Sequence, residues 1–176
     1  MGDSRGITEF LRGQYQQAHG WLEGTMERVT DEVAQKQPGG VATAIGAQYG
    51  HIAVSEDYMI NGLLRGEAPV MATTRAGQTG LSALPPGGEN WGDWAREVQA
   101  EVTTLRSYAQ DVYAATDSYL ASLADSELAR PIDLSFIGLG MQNVGFVLTM
   151  MLANVNNHCG EIACLKGLQG LKGYPA

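Results

Sequence analysis

Asn154-Val155-Asn156-Asn157-His158-Cys159-Gly160-Glu161 sets polar, ion-competent side chains into the middle of an otherwise apolar helical stripe. Around it Val144, Val147, Leu148, Met151, Val155, Ile162 and Leu165 recur at steps of three, four and seven, which predicts a helix over about 142–168. Asn154 and His158 complete that stripe. Four residues apart, they stand about 40° apart around the axis and share one inward face. A buried polar group without a partner costs about 2 kcal/mol or more, so these side chains must satisfy one another, a water or an ion.

The partner for this pair comes from an earlier helix. Ile45, Ile52 and Met59 repeat at heptad spacing and predict a helix over about 43–64, with Ala47, His51, Val54, Ser55 and Tyr58 on the adjoining face. His51 therefore points inward. Before it, Ile7, Leu11, Ala18, Leu22, Val29 and Val33 mark the seam of a helix over about 7–35, ended by Gln37-Pro38-Gly39-Gly40. After it, Trp91, Trp94, Val98, Val102, Leu105, Ala109, Val112, Thr116, Tyr119 and Leu123 predict one long helix, capped by Asn90 with Asp93 three residues on. At about 1.5 Å per residue that helix would run for about 50 Å.

Between the second and third helices lies a Gly-, Pro- and Thr-rich stretch over 65–89, too long for a simple turn and suited to cross one end of a bundle, over a pocket or an oligomer interface. A second crossing, Pro131 to Met141, reads as an apolar loop or a short extended piece. Four long helices, two crossings and no strand pattern predict an all-α fold: a single four-helix-bundle domain over 1–176 with long crossover loops.

Composition narrows the partners. The chain has 176 residues, a formal charge of −8 and a pI of about 4.7, with Lys and Arg scattered, which argues against nucleic acid and against an acidic membrane surface. The longest near-apolar run, Val144 to Ala153, is half of the ~20 residues a membrane span needs. No apolar signal segment opens the sequence, and Gly6 stands where a myristoylation motif wants Ser or Thr, so the expected location is the cytoplasm. Cys159 and Cys164 are turned about 140° apart on one helix and are expected to be reduced packing residues. There is no nucleophile elbow, phosphate-binding glycine loop or Cys-x-x-Cys pair.

His51 on one helix and Asn154 with His158 on another can offer three donors to a divalent metal and leave positions open for water or substrate. Asn is the weak member, a neutral amide oxygen. Glu161, one turn beyond His158, suits an orienting role or pairs at the rim with Lys166. Glu56 is expected on the surface or helix flank, and His19 on the surface beside Gly20. Tyr58, Trp21 and Met151 would line a pocket.

The stretches Gly50-His51-Ile52-Ala53-Val54-Ser55-Glu56-Asp57-Tyr58 and Asn154 to Leu168 resemble the DinB/YfiT-like superfamily of four-helix bundles, along nearly the whole chain. Members with an intact site hold a divalent metal with one His from the second helix and a His-x-x-x-His pair from the last. Carried over, His51 and His158 match, and Asn154 stands where the remaining His belongs. The resemblance implies a divalent cofactor (Zn, Ni or Fe) and, from characterised relatives, a metal-dependent thiol S-transferase or isomerase using a small-molecule bacterial thiol such as mycothiol or bacillithiol. Two other readings stay open: a non-catalytic bundle whose degenerate site binds a small ligand without metal, and an interaction protein using the 65–89 and 131–141 segments. A homodimer through bundle faces is expected.

Overall fold

A computed structural model describes residues 6–86 and 90–175. The N-terminal lipidation reading and the last residues of the 65–89 crossing thus fall partly outside the described residues. The architecture is mainly helical, in the order α1 Gly6–Thr25, α2 Asp31–Gln35, α3 Ile45–Glu56, α4 Trp91–Glu97, α5 Val102–Ser122, β1 Pro131–Asp133, β2 Met141–Asn143 and α6 Val144–Leu168. The long helices α1, α3, α5 and α6 pack on one another around a shared core. Leu22, Ile45, Ile52, Leu105 and Ile162 fill one part of it, and Tyr15, Ile60, Leu120 and Leu148 the other.

The first predicted helix is two. Continuous to Thr25, it breaks at Met26–Thr30, where Arg28 takes a left-handed φ of 64°. The chain restarts as α2 when the Thr30 side chain accepts from Val33 N. The break is held from outside: the Lys166 ammonium, 3% exposed, donates to the Thr25 carbonyl and, at 2.9 Å, to the Glu27 carbonyl, closing the C-terminus of α1. Lys166 is therefore not the partner of Glu161. At the other end of α1 the Asp125 carboxylate accepts from Ile7 N and Thr8 N.

The third predicted helix also splits. Its stripe runs through α4 and α5 but the backbone leaves the helix at Val98–Glu101, because Ala100 bridges antiparallel to Leu81, and Ser82 N and Glu101 N bond to Gln99 O and Gly80 O. Glu101 then caps α5 by accepting from Thr103 N and Thr104 N. Asn90 makes no side-chain cap, contrary to the expected capping box. Gly80 permits this junction: its φ is +77°, and a Cβ there would collide with the backbone of Leu105 and sit 2.8 Å from Glu101 O.

The second predicted helix is continuous, as α3 followed by a π-helical stretch, Asp57–Leu64. Asp57 begins the widened turn, fully buried, with its carboxylate accepting from Val70 N, Met71 N and Tyr108 Oη. The 131–141 crossing is a small hairpin, Ile132 opposite Gln142, and Asn143 leads directly into α6 by capping Phe146 N at 2.8 Å. No helix among the described residues is long and apolar enough to cross a membrane.

Candidate metal centre

α3 and α6 pack side by side, and this contact brings His51 to His158 with ring centroids 5.0 Å apart and planes 79° apart. Both rings are partly buried, as is Asn154. Asn154 lies close enough to the His51 ring to raise its pKa. The three residues read from the sequence are thus brought together, on the faces their spacing indicated.

The two imidazoles are held differently. His158 Nδ1 lies 2.6 Å from Glu161 Oε2, one turn on along α6. A carboxylate accepts only, so Nδ1 carries a proton and Nε2 is the nitrogen left for another partner. Orientation of a ligand imidazole by a carboxylate on its far nitrogen is the usual support at a metal. His51 Nδ1 instead meets the indole N–H of Trp91 at 3.1 Å and the Ser55 hydroxyl at 3.3 Å. Burial, with the charge of His158 next, pushes the His51 pKa down to about 4, while Asn154 and Glu161 pull it back up. The ring is neutral at pH 7, the form a metal requires.

Beside this pair lies a pocket of about 490 Å³ lined by Gln48, Trp91, His158, Glu161, Cys164 and Leu165, among others. Cys164 is exposed and lines it, whereas Cys159 is buried near Thr25 and burial raises its thiol pKa. Tyr58 and Trp21 are exposed and Met151 lies in the core, so the expected pocket lining is replaced by residues 41–43, Gln48, Trp91 and the second half of α6. A second groove, about 560 Å³, has Asp31 and Glu101 in its wall but no imidazole or thiol. Those carboxylates cap α5, Asp31 accepting from Val102 N and Glu101 from the next two amides. Size does not mark the site; chemistry does.

The sequence profile of the DinB superfamily matches residues 14–162, a span holding His51, Asn154 and His158. The chain belongs to the DinB superfamily. Among solved structures this DinB chain is similar to a conserved protein from Enterococcus faecalis, at 22% identity and a TM-score of 0.77, covering 92% of this chain and 96% of that one. At that identity the likeness is one of fold. A search of curated proteins finds no match.

Two features of this DinB chain escape its sequence pattern. His19 is buried, not on the surface: its Nε2 lies 2.9 Å from Glu56 Oε2, and Glu56 is only 1% exposed. Tyr113 stacks on the His19 ring at 3.9 Å. α1 and α3 each pack on α5 and α6, so the two side chains meet across the core between them, and helical spacing within either helix carries no sign of it. Trp91, read as a seam residue, is the other. Its position over His51 follows from the break before α5, which packs α4 against α3.

Among the described residues no three His, Cys, Asp or Glu side chains converge as an ion-binding group, so Asn154 has to supply any third donor. The separation of the rings fits a shared ion. With a metal–nitrogen bond of ~2.1 Å, two imidazoles on one tetrahedral ion have centroids about 5 Å apart, as His51 and His158 do. His158 has its orienting carboxylate in place, and His51 fits once its proton is on Nδ1.

Proposed function

We propose that this protein is a four-helix bundle with long crossovers that holds a divalent cation through His51, His158 and the Asn154 amide oxygen, and that its activity is transfer or isomerisation on a low-molecular-weight thiol. The observation that carries the reading is the His158–Glu161 pair at 2.6 Å, which engages Nδ1 and so makes Nε2 the nitrogen a cation would take, on a ring whose centroid is 5.0 Å from that of His51. A divalent ion held there would supply stabilisation of a thiolate at neutral pH. The chain's own groups do the rest: Glu161 orients His158, burial keeps His51 uncharged, and Trp91 with Leu165 gives the pocket an apolar wall.

The test uses protein purified without a His tag. Zn²⁺ or Ni²⁺ at a hundred times its dissociation constant should stabilise the fold by about 2.7 kcal/mol, a rise in Tm of roughly 5–10 °C. His51→Ala and His158→Ala should abolish that rise, and Asn154→His should tighten binding by replacing an amide with an imidazole. A protein that gains no stability from Zn²⁺, Ni²⁺ or Fe²⁺ refutes the proposal. The second reading, a small-ligand site without metal, has its own support in the Trp91–His51 hydrogen bond, which opposes ligation by His51 as it stands.

A further inference from the structure

We propose that Trp91 is a positioning residue that fixes the tautomer of His51, holding its proton on Nε2 and withholding that nitrogen from an ion until the indole lets go. The indole nitrogen is a donor and never an acceptor. At 3.1 Å from His51 Nδ1 it must therefore meet a lone pair. A neutral ring with its lone pair on Nδ1 carries its hydrogen on Nε2. The arrangement is self-consistent without an ion: Trp91 donates to His51 Nδ1, and the ring keeps its proton on Nε2.

It is also the wrong way round for ligation. Nδ1 is taken by Trp91 and Ser55, while His158 faces the ring from α6, so an ion shared with His158 needs the Nε2 lone pair. The proton must then move to Nδ1, where it would point at the indole N–H. The replacement acceptor is in place: the Ser55 hydroxyl lies 3.3 Å from Nδ1 and accepts as readily as it donates. Trp91 also has somewhere to go. It is partly exposed on the wall of the pocket that His158 lines. α4 itself stays anchored by Trp94, which is buried and donates its indole N–H to the Ala83 carbonyl at 2.9 Å. One tryptophan holds the helix down, and the other sets the histidine.

The ligation half of this inference rests on the metal reading; the tautomer half does not, so the two are tested apart. In ion-free, ¹⁵N-labelled protein, long-range ¹H–¹⁵N spectra of the imidazoles should show His51, assigned by its loss in His51→Gln, as the Nε2–H form. Trp91→Phe keeps an aromatic ring and deletes the N–H; it should shift His51 toward the Nδ1–H form. Zn²⁺ titrated by calorimetry should bind Trp91→Phe about fivefold more tightly than the wild type, the equivalent of one hydrogen bond no longer lost on binding. Adding Ser55→Ala should cancel that gain. An Nδ1–H His51 in the wild type, or a tautomer unchanged in Trp91→Phe, overturns the proposal. A tautomer shift with no Zn²⁺ uptake by either protein overturns the metal reading and leaves Trp91 as the group that sets His51.

Discussion

Asp57→Asn is the sharpest probe of how the fold holds the end of α3. The carboxylate is fully buried and accepts from four donors: Asn61 Nδ2 at 3.2 Å and Val70 N at 2.9 Å on Oδ1, Met71 N at 2.8 Å and Tyr108 Oη at 2.9 Å on Oδ2. Asn has the same shape but exchanges one acceptor for an NH₂ donor. With the nitrogen in place of Oδ2, Tyr108 can turn its hydroxyl to accept, but Met71 N–H faces a donor. With the nitrogen in place of Oδ1, Asn61 can flip and present its otherwise unpartnered Oδ1, but Val70 N–H is left over. Either way one backbone amide is orphaned and the remaining bonds lose their charge assistance, for a total of about 3 kcal/mol. In a chain of this size that lowers Tm by roughly 6–12 °C. Thermal and urea unfolding followed by circular dichroism measure the loss, and hydrogen exchange should show the Val70 and Met71 amides exchanging faster. A loss below about 1 kcal/mol, or unchanged protection at both amides, refutes the accounting.

The His19–Glu56 pair should behave as a unit: His19→Phe and Glu56→Leu each cost about 3 kcal/mol by stranding the buried partner, and the double variant costs less than their sum, as a double-mutant cycle in urea will read. Gly80→Ala should cost more than about 2 kcal/mol, since it adds left-handed strain to a backbone collision, and should raise protease sensitivity at the α4–α5 junction. The depressed pKa of His51 makes the ion-free protein weaker in acid. Below the unfolded value of 6.5 the unfolded chain takes up a proton that the folded ring refuses until about 4, so stability falls as pH falls through that window, by about 3 kcal/mol in all. His51→Gln should flatten that part of the pH profile in urea unfolding, and an unaltered slope would assign it to another group.

Helical periodicity alone put His51, Asn154 and His158 on inward faces, and the structure brings them together. The orienting role of Glu161 was open in the sequence beside a pairing with Lys166; the two were separated only when Lys166 proved to be turned toward the end of α1. His19 and Glu56 lay beyond reach because each is polar and each borders its own helix's stripe. Their burial comes from the way α1 and α3 both pack on α5 and α6, and one side-chain contact between helices leaves no periodic mark.

What the sequence by itself determined is therefore whatever repeats along one helix: the stripes, their inward polar interruptions, and the turn-rich crossings that separate them. Tertiary structure decided where those helices stop and what meets across them. Val98 to Glu101 continues a helical stripe, yet it leaves the helix because its backbone groups pair with Gly80 to Ser82, residues about twenty positions away. That exchange of local for long-range hydrogen bonds shortens α5, frees α4 to lie against α3, and sets the Trp91 N–H on His51. The inward places of His51, Asn154 and His158 are written in the chain, but the N–H that His51 accepts is written in the packing.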